Sequence, residues 1–486
     1  MKRITTVLLL LALTLSAFSC GSEPGKTDET TAPEETTQGE ETTQGSGLPE
    51  LNYGGKTVTI LVEDYGGYVG AEFYVDETNG DIVNDAIFNR NRTVEEQLNV
   101  ELDWVSITHT WDTRSEFLTR FRSSILAADG AYDIAAGIGY FMPSFVSEGI
   151  LADMSTLPYI NIDKPWWSKD YMEKASVDGK YYAATGDISL GMIKYLMCFF
   201  ENLELAEKLG IESLYDVVRD GKWTYDKMRE LTADVYNDLD GDTSVGRGDM
   251  FGLLFHNPNH FTGFLESFEV DIVDFSGKEP EFVYGNSHNT DVVEKLVDLI
   301  SKNDGVYYDP TGNHEVVTDS IFLSGNVLLT GGWIANTDTY REIRFNYGVL
   351  PYPKYDESQE NYKTTVLNNH SVVTIPIDSK DRECAAAICE ALAYESWKSV
   401  TPAYFETALK VKYARDNDSS QMFDIIREGA SFDFGYIYTA SLDGINDVFK
   451  NTIQSRGSWA SKIASIEGAS KEKLTSLVEA IRDKAE

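Results

Sequence analysis

The segment Lys56–Val62, with the sequence KTVTILV, is the stretch that decides the fold. Its β-branched and aliphatic residues are typical of a buried strand. Asp81–Leu98 then carries apolar residues at near-helical spacing, and Val100–Val105 is a second predicted strand. Glu116–Ala128 is a second predicted helix and Tyr132–Ala136 a third strand. This β-α-β-α-β order predicts a parallel sheet with right-handed crossovers.

The carboxyl ends of these strands are where a ligand is expected. In open parallel sheets, ligands bind in the crevice beyond the strand ends. The rule selects Glu63–Gly67, Ser106–Trp111 and Gly137–Phe141, and within them Asp64, Tyr65, Trp111, Tyr140 and Phe141 as candidate ligand-binding residues.

Length, charge and cysteine content restrict the classes of function that the chain can have. A chain of 486 residues is long enough for two or three domains with cores of their own. With 41 Lys and Arg against 79 Asp and Glu, the formal net charge is −38, which argues against a nucleic-acid partner. Four cysteines are too few for a disulfide scaffold. No apolar run after residue 20 reaches the length of a membrane span.

The N-terminus is predicted to be a signal peptide, residues 1–19. Two basic residues precede the apolar run Val7–Leu15, which is too short to span a bilayer stably. The following residues, AFSCG, resemble a bacterial lipoprotein box in which Cys20 is lipidated, although Phe18 replaces the small residue usual there. The alternative is an ordinary secretion signal with an incidental cysteine.

Residues 20–50 are predicted to be the lipidated cysteine and a disordered acidic tether. The segment is rich in Thr, Glu, Gly and Pro and holds almost nothing apolar, so it cannot offset the entropy of ordering. The chain is therefore expected on the extracellular face of the bacterial cell membrane, on the periplasmic side if an outer membrane is present.

A series of short motifs in the body resembles the extracellular solute-binding proteins of ABC importers. Their order is similar to that of the maltose-binding-protein-like carbohydrate group, and they cover residues 53–486 almost without interruption. The motifs are Tyr132–Ile134, Glu148–Met154, Asp178–Tyr182, Glu201–Leu203, Lys208–Ile211, Trp223–Asp226, Ser324–Leu329, Gly331–Trp333 and Tyr347–Pro351.

The resemblance implies a two-lobed α/β fold of the type II periplasmic-binding-protein kind. Two parallel or mixed sheets, flanked by helices, would close on a ligand about a hinge between the lobes. Lobe 1 would comprise residues 51–198 and 352–395, and lobe 2 residues 199–351 and 396–486. The chain would cross between lobes near Met192–Phe200, near Val349–Lys354 and around Glu395.

The resemblance also implies a function and further site residues. We expect a monomeric, non-enzymatic receptor that needs no cofactor, captures a mono- or oligosaccharide and delivers it to ABC permease subunits. Sugar rings stack on aromatic side chains and hydrogen-bond through their hydroxyls. Trp333, Asp187, Tyr436 and Tyr438 are the positions that the resemblance adds to the candidate ligand contacts.

Two alternative functions stay open. In the first, the same fold binds a peptide or another polar metabolite, and a charged ligand would then need a basic fork in the cleft. A secreted glycoside hydrolase would need two opposed carboxylates about 5–9.5 Å apart. The strand-end candidates include no basic residue, which favours a neutral sugar.

The acidic loop at residues 237–249 is a candidate calcium site. Asp238, Asp240, Asp242, Ser244 and Asp249 are the candidate ligands, at a spacing similar to that of EF-hand or dockerin loops. The loop lacks glycine at its sixth position and has Asp instead of Glu at its twelfth, so structural calcium would bind weakly. A plain acidic turn is the alternative.

The remaining reactive residue types indicate no catalytic centre. His256 and His260 are four residues apart, but Pro258 between them interrupts any helix, so a zinc site is not expected. Cys198, Cys384 and Cys389 are expected to be buried free thiols.

Overall fold

The computed structural model of the chain describes residues 45–66, 70–277, 279–309, 320–340, 343–413 and 417–483. The predicted signal peptide, Cys20 and residues 21–44 of the predicted tether lie outside the described residues. From Ser46 onward the chain forms one compact unit. Within the ranges just given, no helix combines the length and apolar character that crossing a membrane requires.

Strands and helices alternate through most of the chain. The strands are β1 (Lys56–Tyr65), β2 (Val100–His109), β3 (Ile134–Ile138), β4 (Met197–Asn202), β5 (Phe251–Phe255), β6 (Val273–Asp274), β7 (Glu281–Phe282), β8 (Val306–Tyr308), β9 (Val327–Trp333), β10 (Tyr347–Leu350), β11 (Thr364–Thr365), β12 (Ser371–Thr374) and β13 (Ala430–Ser431). The helices are α1 (Ile82–Leu98), α2 (Ser115–Ala127), α3 (Lys169–Lys174), α4 (Gly191–Lys194), α5 (Leu203–Leu209), α6 (Leu214–Arg219), α7 (Tyr225–Thr232), α8 (Asn259–Thr262), α9 (Phe264–Ser267), α10 (Ser287–Lys302), α11 (Ser320–Leu323), α12 (Asn336–Tyr340), α13 (Arg382–Glu395), α14 (Asn417–Glu428), α15 (Phe434–Ile437), α16 (Ile445–Gln454) and α17 (Trp459–Asp483).

The first sheet contains the three strands that the sequence predicts. Its order is β12-β3-β1-β2, with β1 parallel to both β2 and β3. Val58, Ile60, Leu61 and Val62 of β1 are buried, which explains why this strand is almost continuously apolar. The added edge strand β12 returns from far along the chain and pairs antiparallel with β3.

The second sheet is mixed. Its order is β10-β4-β9-β5-β8, in which β4 runs antiparallel to β10 and β9, while β9, β5 and β8 are parallel. All residues of β4, β5, β9 and β10 are buried. The amphipathic helix α10 packs beside β8, and α16 packs on α10 and α8.

The chain passes between the sheets in segments that lie side by side. Leu196, just before β4, forms an antiparallel bridge with Val366, which lies between the second sheet and β12. Lys354 pairs with Thr224 beside the second sheet. The lobe boundaries and the crossings near Met192–Phe200, near Val349–Lys354 and around Glu395 stay predictions.

A buried polar cluster ties these crossing segments together. The Glu72 carboxylate accepts hydrogen bonds from Gly191 N at 2.5 Å and from Ser189 Oγ at 3.3 Å. Arg90 of α1 donates to Ser396 Oγ at 3.1 Å, just after α13, and to the carbonyl oxygen of Phe73 at 2.5 Å. Because these partners come from separate passages of the chain, Glu72 and Arg90 fix the crossings relative to α1.

Candidate functional site

Three aromatic side chains meet at the carboxyl edge of the first sheet. Ring centroids of Trp111 lie 5.4 Å from Tyr140 and 5.6 Å from Phe141, and those of Tyr140 and Phe141 are 4.7 Å apart. Tyr140 stands perpendicular to the indole, while Phe141 lies at 30° to it. Trp111 remains 38% exposed, so this aromatic wall of Trp111, Tyr140 and Phe141 is accessible to a ligand.

The strands explain why these three residues meet. β2 and β3 flank β1 on its two sides and run parallel to it, so their carboxyl ends reach the same edge. Gly139 allows the close turn after β3, because a Cβ atom there would lie 3.0 Å from Cε1 of His370. Tyr140 N then donates to the carbonyl oxygen of Asn368 at 3.0 Å. The guanidinium of Arg114 lies over Trp111, 4.3 Å from the ring centroid.

Polar side chains from two helices beside the second sheet adjoin the aromatic wall. The Tyr140 hydroxyl donates to Asp447 Oδ2 of α16 at 3.1 Å. Burial, with Asp447 adding to it, raises the pKa of Tyr140, so the hydroxyl stays protonated and donates. Lys450 Nζ lies 2.8 Å from Asp447 Oδ1 and 2.7 Å from Asn259 Oδ1 of α8. We call Asp447, Lys450 and Asn259 the polar wall.

Trp333 lies at the end of β9 and is only 7% exposed. Its ring meets that of His260 edge-on at 6.1 Å, and His260 meets His256 at 4.4 Å. Burial lowers the pKa of His256 to about 4 and holds the pKa of His260 well below its ordinary value, so both rings are neutral near pH 7. His260 follows Asn259 directly, which brings Trp333 near the polar wall.

Asp64 and Tyr65, at the end of β1, are half-buried. Asp64 accepts hydrogen bonds from Thr108 Oγ1 at 2.8 Å and from a backbone amide at 2.9 Å, so its carboxylate is held in place. The ring of Tyr65 meets that of His109 edge-on at 5.7 Å. The ligand contact of Asp64 and Tyr65 stays a prediction.

A buried ion pair lies under this edge of the sheet. His109 Nε2 lies 2.8 Å from Glu63 Oε1, and both side chains are fully buried. Burial raises the pKa of Glu63. Burial is the largest single influence on His109 and opposes its protonation, but the hydrogen bonds to Glu63 and Thr110 and the charges of Glu63 and Asp64 together raise the pKa of the ring. The pair joins the ends of β1 and β2 beneath the aromatic wall.

Asp187 lies away from both walls, in a network with later helices. Its Oδ1 accepts a hydrogen bond from Thr401 Oγ1 at 2.6 Å and lies 3.6 Å from Arg427. Burial raises the pKa of Asp187 to about 6, while Thr401 and Arg427 oppose that shift. These contacts involve Oδ1 of the carboxylate, and the ligand contact of Asp187 stays a prediction.

Tyr436 and Tyr438 are both buried. The Tyr436 hydroxyl donates to the carbonyl oxygen of Val366 at 3.2 Å and accepts from the amide of Asn368 at 3.0 Å. The Tyr438 hydroxyl donates to the carbonyl oxygen of Ala175 at 2.7 Å. Both hydroxyls are thus bonded to backbone atoms, and the ligand contact of Tyr436 and Tyr438 stays a prediction.

The acidic loop brings only part of the predicted calcium set together. Carboxylate oxygens of Asp238, Asp240 and Asp242 lie within 4.8 Å of one another. Asp249 is buried and accepts hydrogen bonds from backbone amides of its own loop at 3.0 and 3.2 Å. Ser244 donates its backbone amide to Asp242 at 2.7 Å. Three carboxylates suit a hard cation, but the fourth is turned inward.

Comparison with known protein families decides what kind of protein carries this site. Residues 108–395, more than half of the chain, match the family described as bacterial extracellular solute-binding protein. The chain belongs to this family. The predicted family is therefore confirmed, and membership implies an extracellular or periplasmic location for this solute-binding protein. None of the curated protein sequences compared with it matches.

Solved structures of binding proteins share the fold of this solute-binding protein. An ABC substrate-binding protein from Listeria monocytogenes, in complex with cycloalternan, has a TM-score of 0.55 and 13% identity over 87% of this chain and 99% of its own. A solute-binding protein from Thermotoga lettingae bound with α-D-tagatose has a TM-score of 0.54 and 14% identity over 86% of this chain and 100% of its own. The galacto-N-biose-/lacto-N-biose I-binding protein of Bifidobacterium longum has a TM-score of 0.54 and 12% identity over 87% of this chain and 98% of its own. These similarities confirm the predicted two-lobed α/β fold.

The polar wall of the solute-binding protein was missed by the sequence reasoning. Asp447 and Lys450 lie three residues apart in the amphipathic sequence INDVFKNTIQ, where such a pair is typical of a solvated helix face. Asn259 lies in the HNPNH segment, which the sequence marks only as a polar loop. Arg114 was missed because it lies three residues beyond the strand-end segment that supplied Trp111.

Proposed function

We propose that this solute-binding protein captures a carbohydrate between the aromatic wall and the polar wall and delivers it to the permease of an ABC importer. The observation that carries the proposal is the contact of Trp111, Tyr140 and Phe141 at a strand edge, with Tyr140 bonded to Asp447. Aromatic faces suit the apolar faces of sugar rings, and the polar groups suit their hydroxyls. The carbohydrate complexes of structurally similar proteins support the same choice.

The family favours binding over catalysis. The family and the structural neighbours are binding proteins, so we propose a receptor and not a glycoside hydrolase. We further propose that the receptor acts as a monomer, with closure of two lobes signalling the bound state to the permease.

A thermal-shift screen followed by calorimetry tests the proposal. The purified protein is titrated with maltose, maltotetraose, α-D-tagatose, lacto-N-biose and cycloalternan, and with a peptide library as the alternative ligand class. We expect at least one sugar to raise the melting temperature, because binding to the native state alone stabilises it. Small-angle scattering with that sugar should show compaction. Peptide binding without sugar binding would overturn the carbohydrate assignment.

Trp111→Ala locates the site. The variant should weaken sugar binding about tenfold or more, roughly 1.4 kcal/mol, while leaving the fold intact. Tyr74→Ala is the matched control, because Tyr74 is 39% exposed against 38% for Trp111 but stacks on Trp104 instead. Equal affinity of the two variants would remove the aromatic wall from the binding site.

We also propose that Cys20 is lipidated and anchors the receptor to the membrane. Cys20→Ala should release the protein from the membrane fraction into the medium or periplasm. Retention of the variant in the membrane fraction would instead indicate an uncleaved apolar segment.

Calcium binding by the acidic loop is a separate proposal. Asp238, Asp240 and Asp242 would hold the ion, since their carboxylate oxygens lie together. Asp249 is left out of this proposal, because its carboxylate accepts hydrogen bonds from the backbone amides of Leu239 and Gly246. Calcium would supply only structural stabilisation of the loop.

A further inference from the structure

Lys450 occupies the centre of the polar wall. Its ammonium lies 2.8 Å from Asp447 Oδ1 and 2.7 Å from Asn259 Oδ1, and its side chain is only 16% exposed. The same lysine therefore links α16, which carries Asp447, to α8, which carries Asn259.

This contact fixes which way the Asn259 amide faces. An ammonium group only donates hydrogen bonds, so the amide atom beside it must be the oxygen. The amide nitrogen, Nδ2, then faces away from Lys450. In the described part of the chain, no hydrogen bond from Asn259 Nδ2 is formed, so this donor remains for another partner.

The contact also fixes the Asp447 carboxylate. Lys450 holds Oδ1, and Oδ2 accepts from the Tyr140 hydroxyl. The Asp447 side chain is 29% exposed, but Oδ1 itself is buried, so a ligand hydroxyl would have to donate to Oδ2. The polar wall thus presents a carboxylate acceptor and an amide donor on either side of one lysine.

Charge decides which ligand class fits this arrangement. The positive charge of Lys450 is balanced by Asp447 at 2.8 Å, so it is not left to pair with an anionic ligand. Arg114 is the other cation beside the site, but it lies against the indole of Trp111 and donates to the Trp111 carbonyl oxygen. A hydroxyl both donates and accepts, so two neighbouring ring hydroxyls match the acceptor of Asp447 and the donor of Asn259.

We propose that Lys450 is a positioning residue that sets the polar wall for a neutral pair of neighbouring hydroxyls. One hydroxyl of the ligand donates to Asp447, and the other accepts from Asn259 Nδ2. This proposal rests on the proposed carbohydrate function. It specifies which part of the sugar, a pair of neighbouring hydroxyls, contacts the polar wall. Lys450 acts through Asp447 and Asn259.

The experiment compares variants of Lys450 by calorimetry. The probes are maltose, lacto-N-biose and α-D-tagatose, the monodeoxy derivatives of each, and maltobionate as an anionic probe. The variants are Lys450→Met and Lys450→Arg, with Lys462→Met, an exposed lysine on α17, as the control. Circular dichroism and thermal denaturation confirm that each variant folds.

We expect Lys450→Met to weaken binding of the neutral sugar about tenfold or more, and Lys450→Arg to recover part of that loss. Removing one ring hydroxyl from the sugar should lower its affinity for Lys450→Met much less than its affinity for the unaltered protein, because the acceptor of Asp447 and the donor of Asn259 are no longer held in position. A merely structural role would lower stability without changing this hydroxyl discrimination. Lys462→Met should behave as the unaltered protein.

Asn259→Asp is a second variant that keeps an oxygen for Lys450 but replaces the amide donor with an acceptor. Asn259→Asp should weaken binding of the neutral sugar by a similar factor, and this test remains available even if Lys450→Met folds poorly. Unchanged affinity and hydroxyl discrimination in Lys450→Met and Asn259→Asp, with loss in Trp111→Ala, would overturn this inference alone. Tighter binding of maltobionate than of every neutral probe would also overturn it. If no sugar binds the unaltered protein, the proposed function fails, and this inference fails with it.

Discussion

Glu266→Gln should stabilise the protein near neutral pH. Glu266 of α9 is buried, and its Oε2 accepts a hydrogen bond from Ser431 Oγ at 2.6 Å. Burial raises the pKa of Glu266 to about 8; Ser431 and Lys363 oppose the shift, and the nearby carboxylates of Asp433 and Asp170 add to it. The carboxyl group is therefore protonated in the folded chain at pH 7 and ionised in the unfolded chain.

The size of the effect follows from the two pKa values of Glu266. Its folded pKa lies above its unfolded value of 4.5, so its stabilising contribution is complete below about pH 4.5 and is lost as the pH rises through about 8. At pH 7, taking up this proton on folding costs about 3 kcal/mol, and at pH 5 about 1 kcal/mol or less. Glutamine resembles the protonated carboxyl and needs no proton. The variant should therefore gain about 3 kcal/mol at pH 7 and far less at pH 5.

Urea unfolding at pH 5, 6, 7 and 8 measures this difference, with Glu207→Gln on the exposed face of α5 as the control. The gain of Glu266→Gln should grow with pH, while the control should show little change at any pH. The same gain at pH 5 and pH 8 would show that Glu266 does not take up a proton on folding, and the reasoning would be wrong.

Three further predictions test the buried cluster around Arg90, the acidic loop and Trp333. Arg90→Met should lower the free energy of unfolding by about 3 kcal/mol or more, because it leaves the buried carbonyl oxygens of Glu72 and Phe73 without their hydrogen-bond donor. Arg92→Met, exposed on the same helix, is the control in urea unfolding, and equal losses would contradict the role of Arg90 in the cluster. Calcium at saturating concentration should raise the melting temperature by about 2–4 °C. A chelator and the variant Asp240→Asn should each abolish this increase. Identical melting curves with calcium and with chelator would exclude the calcium site. Trp333→Ala should cost about 3–5 kcal/mol of stability because its indole is almost fully buried, whereas Trp111→Ala should cost much less. Similar urea midpoints for the two variants would contradict a packing role of the Trp333 indole.

The first sheet was predictable because its signals are local. β1 and β2 are each rich in β-branched residues and followed by a helix of clear periodicity, β3 is a short apolar run, and the right-handed crossover rule fixes their parallel order. β12 and the antiparallel pairs of β4 carry no such signal. Their partners lie more than a hundred residues away, and only tertiary packing selects them.

The aromatic wall was predictable for the same reason. Trp111, Tyr140 and Phe141 were chosen because they follow strands of one parallel sheet, and the structure brings them into contact. Their binding of ligand stays a prediction. Tyr436 and Tyr438 were chosen by family resemblance alone, and a pattern of residues does not show that their hydroxyls bond the backbone carbonyl oxygens of Val366 and Ala175.

The two walls differ in how they are built, and this difference separates affinity from selectivity. The aromatic wall stands at the ends of paired strands, and ring stacking on it depends little on which hydroxyls a sugar carries. The polar wall stands on two helices joined by Lys450, and its hydrogen bonds depend on the position and direction of each hydroxyl. A site that hydrogen-bonds a hydroxyl rejects an analogue without it, because its own buried groups are then left unpaired. Substitutions in the aromatic wall should therefore weaken all sugars alike, whereas substitutions around Lys450 should change which sugar is preferred.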